Sequence, residues 1–264
     1  MPWDCPQDCI EDADGLLYPT GGVYARVFIV MQNVFTELAV SPPLQAPVPS
    51  CLQKRLNRRL KMDGLKLLGD IADGCIAAAF FDPQYRGILD KLCYGNEGAS
   101  RGKRRSDLRQ MTKDEIAAFI GEIARTLKPS GHVFLWVDKY ELLNGFRHWL
   151  EGSALHVVDL IGWDKCRMGM GYRTRRVTEY CLVLQKPPLR AKGVWTSHTI
   201  RDTWQEKVDT SGHPHRKPIG LQTALMEAVT HEGDIILDPA AGDFTVLEAA
   251  GACGRNFIGC DIAG

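Results

Sequence analysis

An α/β fold, with a mostly parallel sheet and helices on both faces, is predicted by two observations. Short continuous apolar runs of strand length recur from about residue 60 onward, as in strands buried on both faces. Segments with helical spacing of apolar residues lie between them, which is the alternation of a βαβ chain. The length of 264 residues, 45% of them hydrophobic, suits one such domain or at most two small ones, with a real core. It excludes a disordered, collagenous or low-complexity chain.

Residues 1–58 stand apart as an acidic, Pro-rich leader or appendage. The first 50 residues hold seven of the 14 prolines, and six acidic residues against one arginine. Within them, 23–40 is rich in Val and Phe and is the candidate for a strand or short helix, while 41–49 reads as an extended linker. The α/β domain is expected over 59–264. Its first strand is the run 75–81, Cys-Ile-Ala-Ala-Ala-Phe-Phe, which ends at Asp82-Pro83. Thr112-Lys-Asp-Glu115 is a capping box. It opens a helix with Ile116, Phe119, Ile120, Ile123 and Leu127 on one face, closed by Lys128-Pro-Ser-Gly131. A buried strand over 132–137 follows, then an amphipathic helix over 140–150 and strands over 155–162 and 179–185. A helix over 218–230 leads to a strand at 234–237, a small-residue turn, a helix over 245–253 and a strand at 256–260.

Charge and cysteine content narrow the class further. The 32 basic and 32 acidic side chains cancel, which argues against nucleic-acid binding by bulk electrostatics. The sum hides an asymmetry: residues 1–50 carry a net −5, and 51–264, with 31 basic and 26 acidic residues, a net +5. The nine cysteines include no C-x-x-C and no Cys/His set at zinc spacing, so no metal site is expected. They read as reduced, packed thiols of a cytoplasmic protein. No run approaches the ~18 apolar residues of a membrane span, and the acidic N-terminus lacks the positive region of a secretory signal.

In an open α/β sheet, ligands bind at the carboxyl ends of the strands. Two such ends carry unusual residues. One is Asp238-Pro-Ala-Ala-Gly242-Asp-Phe-Thr245, where a small-residue turn lets backbone N–H groups and a helix N-terminus approach a ligand. Asp261 ends the next strand, about where an acidic residue holds ribose hydroxyls. A plain tight turn, with Asp238 capping the helix, uses the same residues. The other end is Asp82-Pro-Gln-Tyr85, which sets a carboxylate and an aromatic ring side by side. Asp and Pro are also ordinary turn residues. The carboxylate and the prolyl carbonyl can instead accept hydrogen bonds from an exocyclic amine while Tyr stacks on its ring.

Asp82-Pro-Gln-Tyr85 resembles the D-P-P-Y catalytic motif of amino-group DNA methyltransferases. The segment 238–245 resembles their D-P-F-x-G-S-G-T cofactor motif, and His213-Pro-His-Arg-Lys217-Pro218 their H-P-x-x-K-P signature. Catalytic motif first and cofactor motif last is the order of the beta class. The resemblance runs from about residue 60 to the end. It implies a Rossmann-like methyltransferase fold over 59–264, with recognition loops at 100–110 and 164–212.

The resemblance also implies site roles. Asp82, Pro83, Gln84 and Tyr85 are the catalytic residues. Lys217, Pro218, Asp238, Ala240, Gly242, Asp243, Phe244, Thr245 and Asp261 bind S-adenosylmethionine. The sequence departs from the family where Gln84 replaces a proline, Asp243 a serine, and Phe244 a glycine, whose ring is expected to crowd the cofactor. Asp261 lies three residues from the last residue given, implying a shortened member or a helix supplied otherwise. Two basic stretches are expected on double-stranded DNA: Arg101, Lys103, Arg104 and Arg105 in one, and Lys165, Arg167, Arg173, Arg175 and Arg176 in the other. A solvated loop is the commoner fate of such runs, but placement on the same side as Asp82-Pro-Gln-Tyr85 favours the DNA reading. Trp195 and Trp204 belong to target recognition or, slightly favoured, pack a long loop on the core. His213 reads as a structural residue.

The implied activity is methylation of the N6 amino group of a flipped adenine. Cytosine-N4 methylation is the nearest alternative, and a non-catalytic nucleic-acid-binding regulator with a degenerate methyltransferase fold is another. A homodimer and a cognate restriction enzyme are left open as partners.

Overall fold

In the computed structural model, which describes residues 9–11, 17–19, 50–85, 110–169, 174–209 and 216–263, the chain divides into two units, Met1–Pro47 and Val48–Gly264. In the first unit β1 (Cys9–Glu11) pairs antiparallel with β2 (Leu17–Pro19). The segment 23–40 and the linker 41–49 fall outside the described residues. The second unit begins before the expected boundary at 59. Helix α1 (Ser50–Gln53) buries Leu52 in the core, and the Asn57 side chain accepts a hydrogen bond from the Phe257 amide at 2.8 Å. Residues 50–58 are therefore tied to the α/β unit by contacts that their composition does not announce.

The elements then run in the expected alternation. Strand β3 (Leu60–Lys61) leads to α2 (Gly64–Gly69), β4 (Ile76–Phe81), α3 (Lys113–Thr126), β5 (Leu127–Val137) and α4 (Lys139–Asn144). Strands β6 (His156–Asp164), β7 (Thr178–Gln185) and β8 (Thr203–Gln205) follow. The chain continues through α5 (Ile219–Val229), β9 (Ile235–Asp238), α6 (Thr245–Ala252) and β10 (Asn256–Asp261). One eight-stranded sheet results, in the order β3-β10-β9-β4-β5-β7-β6-β8. It is mostly parallel: β7 alone runs antiparallel to its neighbours β5 and β6.

Period-two alternation divides the core. Ala79 and Phe81 of β4 face a cluster with Leu67, Ile116, Ile120 and Ile123, so α2 and α3 cover that side. Ala78 and Phe80 face Leu221, Leu225, Val246 and Ala249 from α5 and α6 on the other. All six residues of β4 are buried, which is why the run carries no polar alternation.

Two boundaries differ from the sequence expectation. The capping box at Thr112 is present, with Thr112 and Glu115 bonded reciprocally, but α3 ends at Thr126 and residues 128–131 lie within β5. Pro129 cannot continue the helix, and the sheet takes up the released backbone. The helix over 140–150 breaks at Gly145, whose φ of 99° ends α4 and starts a 3₁₀ turn, Phe146–Trp149.

The topology locates a binding crevice. From β4 the crossover through α3 leads to β5 on one side; from β9 the crossover through α6 leads to β10 on the other. Because β4 and β9 are neighbours, the connections diverge between them, and an open α/β sheet leaves its crevice at that point.

Candidate active site

Three strand ends meet in a cleft of about 460 Å³, within the ~300–1,000 Å³ range of small-molecule sites. Asp82 follows β4, the turn 238–245 follows β9, and Asp261 ends β10. Asp82 and Gln84 line the cleft, as do Asp238, Ala240, Gly242, Asp243, Thr245, Asp261 and Lys217. Of the expected catalytic and cofactor-binding residues, Pro83, Tyr85, Pro218 and Phe244 are absent from this lining.

The turn after β9 is held by its own carboxylates. Asp238 accepts from the Ala240 amide at 3.1 Å, so it caps this turn and not helix α6. Asp261 accepts from the Gly242 amide at 3.1 Å and from the Ala263 amide at 2.8 Å. Burial, and then the nearby Asp82 and Asp261 charges, push the Asp238 carboxyl well above the usual range. Gly64, just after Asp63, meets the turn from the opposite wall: a Cβ there would lie 2.2 Å from the Pro239 carbonyl oxygen. Only a glycine allows that approach.

Phe244 corrects an expectation. Its backbone is left-handed, with φ of 58°, yet its ring is 1% exposed and lies in the core at 6.1 Å from Phe257. The Arg59 guanidinium stands 5.3 Å from the ring centroid. The side chain that replaces glycine thus points away from the cleft, and the expected crowding does not occur.

Tyr85 is fixed at both ends. Its hydroxyl oxygen accepts from the Asp138 amide at 2.6 Å, and its ring lies 4.9 Å from that of Trp149. Burial, ahead of the Asp138 charge, drives its phenol far up, so it stays neutral. Lys217, expected to bind the cofactor, bridges two carboxylates: its Nζ is 2.9 Å from Asp82 Oδ2 and 3.0 Å from Glu179 Oε2. Lys165, expected on DNA, is also turned inward, 3.0 Å from Glu179 Oε1. A half-buried carboxylate draws both lysines to itself, overriding the tendency of lysine to face solvent. Arg167 and Arg175 are exposed, and Arg176 stacks at 5.5 Å over the Tyr140 ring. Arg101, Lys103, Arg104, Arg105, Arg173 and His213 lie outside the described residues.

The two tryptophans of the long connection pack on the core, as slightly favoured. Trp195 approaches His132 at 5.9 Å, and Trp204 in β8 donates to Glu206 at 2.8 Å. Glu206 in turn accepts from the Gly220 and Leu221 amides at 3.0 Å each, capping α5. Of the cysteines, Cys181, Cys253 and Cys260 are buried free thiols. Among the described residues no group of three or more His, Cys, Asp and Glu is placed to hold a metal ion, and no helix is long and apolar enough to cross a membrane.

Several cleft residues carry no motif signal. Asp63-Gly64 follows β3 and forms the wall opposite the turn; the pair is a recognisable turn dipeptide that could have flagged it. Arg216 lies within the H-P-x-x-K-P match, where the pattern leaves it unspecified, and meets Asp243 at 3.4 Å, Asp209 at 3.8 Å and Glu248. Trp136 Nε1 and Gln222 Oε1, both buried in the cleft wall, have no hydrogen-bond partner among the described residues.

A DNA methylase family pattern matches residues 80–263, more than half of the chain. This chain belongs to the N6/N4 DNA methylase family. The methylase is 52% identical over 208 residues to the Type II methyltransferase M.HhaII of Haemophilus parahaemolyticus, covering 78% of this chain and 91% of that one. It shares 41% identity over 69 residues with the DNA adenine methyltransferase YhdJ of Escherichia coli strain K12, covering 26% and 22% of the two chains. Among solved structures, the M1.HpyAVI–SAM complex aligns with a TM-score of 0.55 at 19% identity, over 77% of this chain and 92% of that one. The PvuII DNA methyltransferase, cytosine-N4-specific, aligns at 0.60 and 14% identity, over 77% and 81%. At these identities the structural likeness concerns the fold, and the fold is that of these methyltransferases. The methylase is an amino-group DNA methyltransferase of the restriction-modification type.

Proposed function

We propose that the methylase transfers a methyl group from S-adenosylmethionine to the N6 amino group of an adenine flipped out of double-stranded DNA. The observation that carries this reading is Asp82, at the carboxyl end of β4, opening into the same cleft as the turn 238–245 and Asp261. When bound, S-adenosylmethionine supplies a methyl group on a sulfonium, so the protein's task is chiefly to position the reactants. Asp261 holds the ribose hydroxyls, and Asp63, the Gly242 turn, Asp243 and Thr245 enclose the rest of the cofactor.

The target base leaves the stack at a cost of a few kcal/mol. Its exocyclic amine is a poor nucleophile because the nitrogen lone pair is delocalised into the ring. Hydrogen bonds from that amine to Asp82 and to the Pro83 carbonyl favour a more tetrahedral nitrogen with an available lone pair. Asp82 acts as an ionised acceptor, and the amine proton leaves after transfer. Tyr85, locked by Asp138 and Trp149, offers a fixed ring for the base, with stacking of about 1–3 kcal/mol. Gln84 adds an amide at the cleft mouth. Arg167, Arg175 and Arg176, with Arg101, Lys103, Arg104, Arg105 and Arg173, meet the DNA phosphates.

Cytosine-N4 methylation is the second reading, favoured by the likeness of fold to the PvuII enzyme; the Asp-Pro-x-Tyr exit and the relation to YhdJ favour adenine. Digestion of treated DNA to nucleosides followed by mass analysis separates them. N6-methyladenine is the expected product, N4-methylcytosine replaces the assignment, and retained DNA binding without any methylation points to a regulator. The variant Asp82→Ala is expected to abolish transfer while cofactor binding, followed by calorimetry, persists. Transfer at the parental rate removes Asp82 from the mechanism.

A further inference from the structure

Glu179 is a charged residue that none of the motifs contains and that the proposed chemistry leaves without a task. From the cleft inward, Asp82, Lys217, Glu179 and Lys165 form a chain of alternating charge, with successive contacts of 2.9, 3.0 and 3.0 Å. Lys217 is its most enclosed member, 14% exposed against 31% for both carboxylates. Its Nζ also lies 5.1 Å from the Trp136 ring. The register that sets Phe81 opposite Leu135 brings Trp136 level with Asp82 in the adjoining strand. Asp82 follows β4, Glu179 lies in β7, Lys165 follows β6 and Lys217 precedes α5, so four elements converge on this chain.

Both central members keep their charge. Burial opposes ionisation of Glu179, but the ammonium groups of Lys217 and Lys165 outweigh it and hold the carboxyl down to about 2. Burial likewise opposes the charge of Lys217, and Asp82 and Glu179 together hold its ammonium above the ordinary lysine range. A lysine is a point charge on a flexible four-carbon stem. Contact with Asp82 alone would leave that charge free to swing. A second carboxylate on the far side pins it.

We infer that Glu179 is a positioning residue for methyl transfer. By anchoring Lys217 it fixes the orientation of the Asp82 carboxylate, and by sharing the ammonium it keeps Asp82 a strong acceptor for the target amine. The inference rests on the proposed role of Asp82 in the reaction.

The test is single-turnover transfer by the full chain, with tritiated S-adenosylmethionine and saturating unmodified genomic DNA. Glu179→Gln is expected to slow transfer about 10- to 100-fold, the scale of an ångström-sized misplacement of a reacting group. Its dissociation constant for S-adenosylmethionine should stay within about twofold of the parental value. Removing one acid leaves two lysines facing a single carboxylate, so a second variant is measured beside it. Glu179→Gln combined with Lys165→Met deletes one charge of each sign and keeps the chain neutral. The double variant is expected to be as slow as the single one, because Lys217 still lacks its anchor. A parental rate in the double variant would mean that Glu179 merely balances Lys165, and a parental rate in the single variant overturns the inference directly. If Glu179→Gln alone fails to fold, the double variant decides by the same comparison. Asp82→Ala separates the two levels. An inert Asp82→Ala beside a fully active Glu179→Gln removes only the role of Glu179, whereas an active Asp82→Ala removes the reading beneath it.

Discussion

Replacing Phe244 by glycine and by alanine tests the reading of the turn after β9. The native residue holds φ of 58°, a conformation that costs an L-residue about 1–2 kcal/mol. Its ring offsets that cost by filling the core between Phe257 and the Arg59 guanidinium. Truncating a buried phenylalanine to alanine costs about 3–5 kcal/mol. Alanine keeps a Cβ and so keeps the backbone strain as well. Glycine loses the same ring but relieves the strain, which leaves a net loss of about 1–4 kcal/mol. The glycine variant should therefore be the more stable of the two by about 1–2 kcal/mol, although both fall below the parent. Urea unfolding with an unchanged slope reads the difference as a shift in midpoint. Because the ring does not line the cleft, neither variant should bind S-adenosylmethionine more tightly while it remains folded. A glycine variant no more stable than the alanine variant refutes the strain argument, and a tenfold gain in cofactor affinity would put the ring in the cleft after all.

Two further predictions concern groups whose protonation the fold alters. The Asp238 carboxyl is raised chiefly by burial, so above the unfolded carboxyl range near pH 4 the folded state binds more protons than the unfolded one, and stability falls as pH rises. Asp238→Asn keeps an acceptor for the Ala240 amide and removes this slope. It should raise the urea midpoint more at pH 7 than at pH 4.5, and an equal effect at both would show that Asp238 is ionised in the fold. Burial lowers His132 to about 4, so from about pH 6.5 downward the unfolded state binds the extra proton and stability is lost until pH reaches about 4. The loss is up to about 3 kcal/mol. His132→Phe should flatten thermal stability over that window, and an unaltered acid slope would place the responsible group elsewhere.

Legibility differed between elements for identifiable reasons. The alternation of strands and helices from β4 onward was readable because burial on both faces leaves unbroken apolar runs, and the Thr112 box announced α3 in four residues. The end of α3 was misplaced because Lys128-Pro-Ser-Gly131 is a good helix stop and equally a segment that β5 can absorb once Leu127 pairs with Ile76. The connection of α1 to β10 through Asn57 spans some two hundred positions, and no local pattern records it. At the site, Asp82, Asp238, Gly242 and Asp261 were legible because strand ends and tight turns restrict residue type. Glu179 was not, since a lone acid at the start of a strand looks like an ordinary solvent-facing residue.

The amino-acid sequence alone determined the family, the fold class and the two strand ends that carry the chemistry, because these depend on short segments whose spacing is itself the signal. Only the tertiary structure decided which way the decisive side chains face. Phe244, out of place beside a cofactor by its position in the motif, is turned into the core by a left-handed backbone. Lys165, basic in a basic stretch, is drawn inward by Glu179, and Lys217 is held between Glu179 and Asp82. Charges separated widely along the chain pair only when β4, β6, β7 and the start of α5 are brought side by side. Their energy depends on distance and burial, which residue order does not contain.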